Sequence, residues 1–248
     1  MFEDLRQTAV EPQNGRLQLN FALMSKEGSP HMPSFMAFYD GPEEEAKKLL
    51  APLYDQQPIQ TLGGTQPYTQ VTGIYEMMRM QGFDRWASSS VHIDYPVNTS
   101  IILGAIEKFQ DSMKRHGDKF KPSMFMLDLR DYRKVASVPK DTTIYSHRYN
   151  AAILATDYRW DDPALDGIAR DEAKAISNYV KERAKEEREA AKVKGDGARD
   201  VTAVYPNIGG KNEKIESVFG ANLPRARELK RKYDPHMLFD KWYPITPA

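Results

Sequence analysis

The chain has 248 residues, 40% of them hydrophobic, with 35 Lys+Arg against 35 Asp+Glu and no cysteine. That length buries a sizeable core as one large domain or two small ones, and a formal net charge of +0 lacks the basic surplus that marks a nucleic-acid binder. Without cysteine there is no disulfide, thiolate zinc site, Fe–S cluster or cysteine nucleophile. The mean hydropathy is -0.65, and no apolar run approaches the ~20 residues that span a bilayer. Met1 to Arg6 carries acids where a secretory signal has a basic patch and an apolar stretch. As written the chain reads as cytoplasmic, with neither membrane nor nucleic acid as a partner.

Leu17, Leu19, Phe21 and Leu23 alternate with Gln18, Asn20 and Ala22, the period of a half-buried strand. Gly28-Ser29-Pro30 followed by Phe35 to Tyr39 predicts the other arm of a hairpin, because Gly and Pro supply turn geometry between two apolar runs. Asp40-Gly41-Pro42-Glu43-Glu44-Glu45 predicts a helix start: a cap, a proline whose missing N–H is harmless there, and carboxylates at the positive end of the dipole. Lys47 and Lys48 fall toward its negative end, and the helix is expected to stop near Pro52. Gly63-Gly64 marks a loop, and Ile74, Met77 and Met78 predict a short helix.

Trp86 to Ile93 reads as a strand ended by Tyr95-Pro96. Ile102, Ala105, Ile106, Phe109 and Met113 then recur at helical spacing up to Gly117. Met124 to Leu129 and Tyr149 to Thr156 read as further strands. Asp161-Asp162-Pro163 opens the longest helix, whose stripe of Leu165, Ile168, Ala169, Ile176 and Val180 fades into a charged, solvated tail from Lys181 to Arg188. Gly195-Asp196-Gly197 breaks it, and Val201 to Tyr205 is a short extended run. Asn222-Leu223-Pro224 starts a final helix that ends before Pro235, since proline cannot continue it. The pattern predicts an α+β domain, an antiparallel sheet with helices packed on one face.

The five histidines, His31, His92, His116, His147 and His236, form no metal-ligand pair on one helix face with a suitably spaced carboxylate, so no metal site is expected. No Walker loop, G-x-S-x-G elbow or G-x-G-x-x-G is present. The basic run Arg225 to Lys232 lies toward the end of its helix, where cations oppose the dipole. Two stretches carry more chemistry. Ser146-His147-Arg148-Tyr149-Asn150 sets switchable and cationic groups and a phenol before a strand, and Val204-Tyr205-Pro206-Asn207 sets a phenol and an amide on a short rigid segment suited to a heterocycle edge.

Tyr205-Pro206-Asn207, Val218 to Arg225, Leu229 to Pro235 and Leu238 to Trp242 resemble, block by block, the end of berberine-bridge-enzyme-like flavoproteins. Phe38 to Leu53, His147-Arg148 before a strand, and Trp160 to Leu165 opening the long helix resemble the same family's substrate domain. The resemblance runs from about the first strand to the end. It implies an antiparallel sheet covered by helices that roofs the isoalloxazine ring of an FAD held by a separate, vanillyl-alcohol-oxidase-type domain. Neither that domain's flavin-tethering histidine motif nor its pyrophosphate loop has a counterpart, and Met1 to Leu5 resembles the tail of a helix. The implied division is a substrate-binding domain over 1–204, incomplete at its N-terminus, and a segment over 205–248 that returns to the FAD domain.

By that resemblance Tyr205 and Asn207 match the family's Tyr-x-Asn segment, which approaches flavin and substrate, so both are candidate FAD contacts. Ile208-Gly209-Gly210 stands where members often place Tyr, or Glu and then an acid, which leaves Tyr205 as the nearer candidate for the catalytic base. His147, Arg148 and Tyr149 are candidate substrate contacts. The alternatives are that Tyr205 simply packs and that Arg148 pairs with an acid such as Asp157. The implied function is the substrate-binding part of an FAD-linked oxidoreductase acting on a secondary-metabolite or alkaloid substrate, inactive alone for lack of the FAD domain. A non-catalytic small-molecule-binding remnant and a gene-model fragment of a longer oxidase are the other readings. A missing domain would leave an open sheet edge and exposed apolar groups, among Trp86, Phe125 and Trp242, so the expected partner is a separate FAD-binding domain or a second copy of the chain.

Overall fold

A computed structural model describes residues 15–25, 30–71, 73, 85–190, 205–209 and 213–248. Five strands, β1 (Leu17–Met24), β2 (Met32–Tyr39), β3 (Arg85–Asp94), β4 (Met124–Arg130) and β5 (Ala151–Trp160), form one sheet in the order β2-β1-β4-β5-β3. Every neighbouring pair is antiparallel. The helices that matter below are α1 (Glu43–Leu49), α2 (Thr99–His116), α3 (Asp166–Ala190), α4 (Ile215–Phe219) and α5 (Leu223–Tyr233).

Alternation along each strand divides the sheet into two chemically different faces. One face carries Leu19, Phe21, Leu23, Val91, Ile93, Phe125, Leu127, Leu129, Leu154 and Tyr158, all buried in a single cluster with Ile102, Ala105 and Phe109 of α2 and Ala169, Ala173, Ile176 and Val180 of α3. Phe109 anchors that layer, its ring centroid 6.0 Å from those of both Phe125 and Tyr158. Burying each such large side chain contributes roughly 1.5–3 kcal/mol, which is what holds the two helices to this face. The expected α+β architecture is therefore the observed one.

Polar contacts close the same layer. Tyr158 donates to Ser112 Oγ at 2.9 Å, so its hydroxyl is satisfied in the core. Arg115 reaches both oxygens of Glu172 at 2.9 and 2.8 Å, and His116 Nε2 meets the same carboxylate at 2.9 Å, tying the end of α2 to α3. Asn98 caps α2 by accepting from the Ser100 amide, and Gly117, at φ 58, ends it in a backbone region that side chains disfavour.

Several boundaries differ from the sequence expectation for identifiable reasons. Pro52 does not end the helical stretch: α1 stops at Leu49, and Pro52 sits in the first turn of a new helical piece, Ala51–Tyr54, where its missing N–H is harmless. β5 begins at Ala151 rather than Tyr149, because the preceding residues turn, with the Arg148 amide on Ser146 O and the Tyr149 amide on His147 O. Ile168 is 40% exposed, and Ala173 fills the inner stripe of α3 instead. Phe125, expected at an exposed interface, is fully buried under α2. The turn at Gly28-Ser29, the helix at Ile74 to Met78, Gly195-Asp196-Gly197 and Val201 to Val204 lie outside the described residues.

Candidate functional site

The second face of the sheet is polar. The same alternation that buries Val91 and Ile93 turns Trp86, Ser88, Ser90 and His92 of β3 to this side, beside Asp157 and Arg159 of β5 and Asp128 and Arg130 of β4. Its charges are largely cancelled in pairs: Asp157 holds Arg159 at 2.7 Å and accepts from Ser88 Oγ at 2.9 Å, while Arg130 pairs with Asp128. Burial pushes the Asp128 carboxyl above the usual range, against the pull of Arg130. Ser90 Oγ is buried here without a partner.

Two loops and the C-terminal segment lie across this face. His147 is 3% exposed, its ring 6.3 Å from His92 and from Tyr149, and its Nε2 donates to Val218 O at 2.8 Å. That bond places the proton on Nε2 and fastens α4 to the loop before β5. Asn222, at the start of α5, makes no capping bond. Its amide donates instead to Lys140 O at 2.7 Å and Thr143 O at 2.9 Å, pinning the preceding loop. Gly220 has φ 52, and a Cβ there would meet Ser146 Oγ at 2.7 Å, so the segment approaches the loop more closely than a side chain permits.

The sequence-predicted residues converge here. Tyr205 is half-buried, its ring perpendicular to that of Tyr145 at 6.3 Å, and Asn207 Nδ2 lies 3.4 Å from its hydroxyl. Between them, Pro206 O accepts from Trp242 Nε1 at 2.9 Å, and Trp242 stacks on Trp86 with centroids 5.9 Å apart. Trp242 holds φ 64, a left-handed conformation unusual for a large residue, so its placement is fixed by these contacts rather than by local preference. Tyr149 carries Lys140 Nζ at 4.9 Å from its ring. Arg148 does not pair with Asp157, which Arg159 occupies; its Nη2 donates to Thr143 Oγ1 at 2.8 Å and its guanidinium lies 5.8 Å from the Tyr145 ring.

Two members of the cluster, Tyr145 and Tyr132, escaped the sequence reading. Tyr145 precedes the singled-out segment by one residue, and the every-other-residue run Tyr145, His147, Tyr149 was its available signal. Burial, reinforced by Tyr205, pushes its phenol up to about 12, so it stands as a neutral donor. Tyr132 lies at the end of Asp128-Leu129-Arg130-Asp131, its hydroxyl 3.3 Å from Asp128 Oδ2 and its acidity suppressed by burial and by the Asp128 charge. Tyr95 bonds the Arg130 backbone at 3.1 Å, and burial raises its phenol as well.

This donor set of neutral phenols, an amide and a buried unpartnered hydroxyl suits the edge of a flat heterocycle such as a flavin ring or an aromatic substrate. It does not suit a diphosphate. Arg130, Arg133, Arg159 and Arg188 each face a carboxylate, and Gly220 is closed over by Ser146 rather than open to a ligand. Among the described residues no group of three or more His, Asp or Glu is placed to hold a metal ion, and no helix is long and apolar enough to cross a membrane.

No family model matches the chain. It is 43% identical over 246 residues, 97% of its length, to the FAD-linked oxidoreductase pgmH of Aspergillus terreus, of which it covers 50%. It is 26% identical over 217 residues, 84% of its length, to the FAD-linked oxidoreductase anuG of Penicillium roqueforti, of which it covers 40%. It thus spans about half the length or less of these curated relatives. Among solved structures, the whole chain overlays 51% of BBE-like 1 from Physcomitrella patens with a TM-score of 0.65 at 12% identity, and 52% of an aclacinomycin oxidoreductase with a TM-score of 0.64 at 16% identity. The fold is therefore that of half a berberine-bridge-type flavoprotein. The chain is thus similar in sequence to FAD-linked oxidoreductases over about half their length, and similar in fold to the corresponding half of berberine-bridge-type flavoproteins.

Proposed function

We propose that this chain is the substrate-binding part of an FAD-linked oxidoreductase that acts on a small secondary metabolite. Residues 15–190 supply the sheet and helices, and the segment from Tyr205 onward turns back toward the flavin. The observation that carries this reading is the cluster of Tyr205, Asn207, Tyr145, His147 and Tyr149 assembled on the polar sheet face from segments more than fifty residues apart in sequence. A bound flavin supplies hydride acceptance from a C–H bond beside nitrogen or oxygen. The chain's own residues orient the substrate and handle its proton. Tyr205 is the nearest candidate to receive that proton, with Asn207 against its hydroxyl, and Arg148 and Tyr149 hold the substrate body. His147 supports them from below by fixing α4.

The described residues offer no cradle for the FAD diphosphate, so these 248 residues by themselves are expected to be inactive. The test is to purify the 248-residue chain, incubate it with excess FAD, remove free cofactor and record the visible spectrum and oxygen consumption. Colourless protein without turnover, gaining activity when co-expressed with an FAD-binding domain of a relative, is the expected result. A yellow, catalytically competent chain would overturn it.

A further inference from the structure

We propose that Arg148 receives the acidic group of a planar aromatic substrate whose ring lies against Tyr145 and Tyr205. The inference rests on the substrate-binding reading above and adds the charge and shape of what is bound. It starts from the arginines around the polar face. Arg130, Arg133, Arg159 and Arg188 are matched by Asp128, Asp131, Asp157 and Asp94, respectively. Arg148 differs from all four. Its one side-chain hydrogen bond is to a neutral hydroxyl, Thr143 Oγ1, its Nε is buried with no partner, and no carboxylate among the described residues pairs with it.

A guanidinium has five donors and no way to discharge itself, so a half-buried one with a single neutral acceptor is left wanting an oxyanion. Its place is not accidental. The loop that carries Thr143 is pinned by Asn222 at two carbonyls, and the chain reverses at Ser146 and His147 through the backbone bonds that precede β5. A second cation, Lys140, lies on the Tyr149 ring of the same loop.

The surroundings define the rest of the occupant. Tyr145 stands at 90° to both Tyr205 and His147, with centroids 6.3 and 6.0 Å away, so the loop presents ring faces and ring edges at right angles. That arrangement accepts a flat ring by stacking on one partner and meeting the edge of another. An aromatic acid satisfies both features: its carboxylate takes the outer guanidinium donors of Arg148, and its ring meets the tyrosines.

The test is calorimetric titration of the purified chain with naphthoic acid, its methyl ester and inorganic pyrophosphate. The acid is expected to bind at least about tenfold more tightly than the ester, the difference lost with one charge-assisted hydrogen bond. Arg148→Gln should abolish the acid's advantage over the ester, while Arg148→Lys should fall between. The acid-to-ester ratio needs no variant, so it stands even where a substitution harms folding. Equal binding of acid and ester, unmoved by Arg148→Gln, overturns the anion anchor and leaves the aromatic site standing. Failure of both to bind overturns the anchor and the substrate-binding reading together. Pyrophosphate competing as strongly as naphthoate would show a plain anion site and overturn the aromatic-acid assignment.

Discussion

Replacing His147 with alanine tests whether the C-terminal segment is fastened to the sheet by one buried bond. The imidazole is 3% exposed and Val218, whose carbonyl accepts its Nε2–H at 2.8 Å, is 1% exposed. Alanine leaves that carbonyl buried without its donor, which costs about 1–3 kcal/mol, and removes ring packing worth roughly 1–2 kcal/mol more. The expected loss is therefore about 2–5 kcal/mol by urea unfolding followed by circular dichroism. The loss should also be local first. Trp242 belongs to the fastened segment and stacks on Trp86, so tryptophan emission should change at lower urea than the helical signal. His147→Gln, which can still present an N–H toward Val218 O, should lose less than half as much. A loss below about 0.5 kcal/mol for alanine, or equal damage from alanine and glutamine, would refute the reasoning.

Burial works to raise the Glu172 carboxyl, but the bonds from Arg115, His116 and Ser112 outweigh it and hold the group below its ordinary 4.5. Its contribution is thus present above that value and is lost as pH falls through the folded-state pKa; a stability profile below neutrality should show the fall, and Glu172→Gln should flatten it. Gly220→Ala forces a side chain into φ 52 and against Ser146 Oγ, and a loss of about 1–3 kcal/mol in chemical unfolding is expected; a neutral result would show that the segment relaxes freely. Trp242→Phe removes the bond to Pro206 O and weakens the stack on Trp86, so about 1–2 kcal/mol should be lost and the emission of Trp86 should shift. Phe109→Ala empties the centre of the helix-covered core and should cost about 3–5 kcal/mol by the same unfolding assay.

The layer between helices and sheet was legible because one physical cause writes it twice. Leu19, Phe21 and Leu23 recur with period two, Ile102, Ala105 and Phe109 with helical spacing, and both periods exist to bury the same face. Where the reading slipped, a local cue was asked to settle a tertiary matter. Pro52 is equally compatible with ending a helix and with opening one. Ile168 satisfies the helical stripe by hydrophobicity alone, yet it lies 40% exposed while Ala173 is buried, because the close approach of α3 to β3 favours small residues at that contact. Phe125 alternates correctly as a strand residue, but nothing local says which face its strand turns to α2.

The polar face was legible only in fragments, for a different reason. Its members come from β3, β4, the loop before β5 and the segment around Tyr205, and no period links them. Tyr132 and Tyr145 look like ordinary loop phenols until the fold brings them near Tyr205 and Asp128. Charge, unlike hydrophobicity, reveals its function only through its partner: Arg148 and Arg159 read alike in sequence, and each was a fair match for Asp157. The sheet register decides between them. Arg159 stands two residues along β5 from Asp157 and turns to the same face, so it takes that carboxylate and leaves Arg148 beside the Tyr145 ring without an acid of its own among the described residues. A cation that the fold denies an internal partner is the feature an incoming anionic ligand would use, and only the pairing of all its neighbours makes it visible.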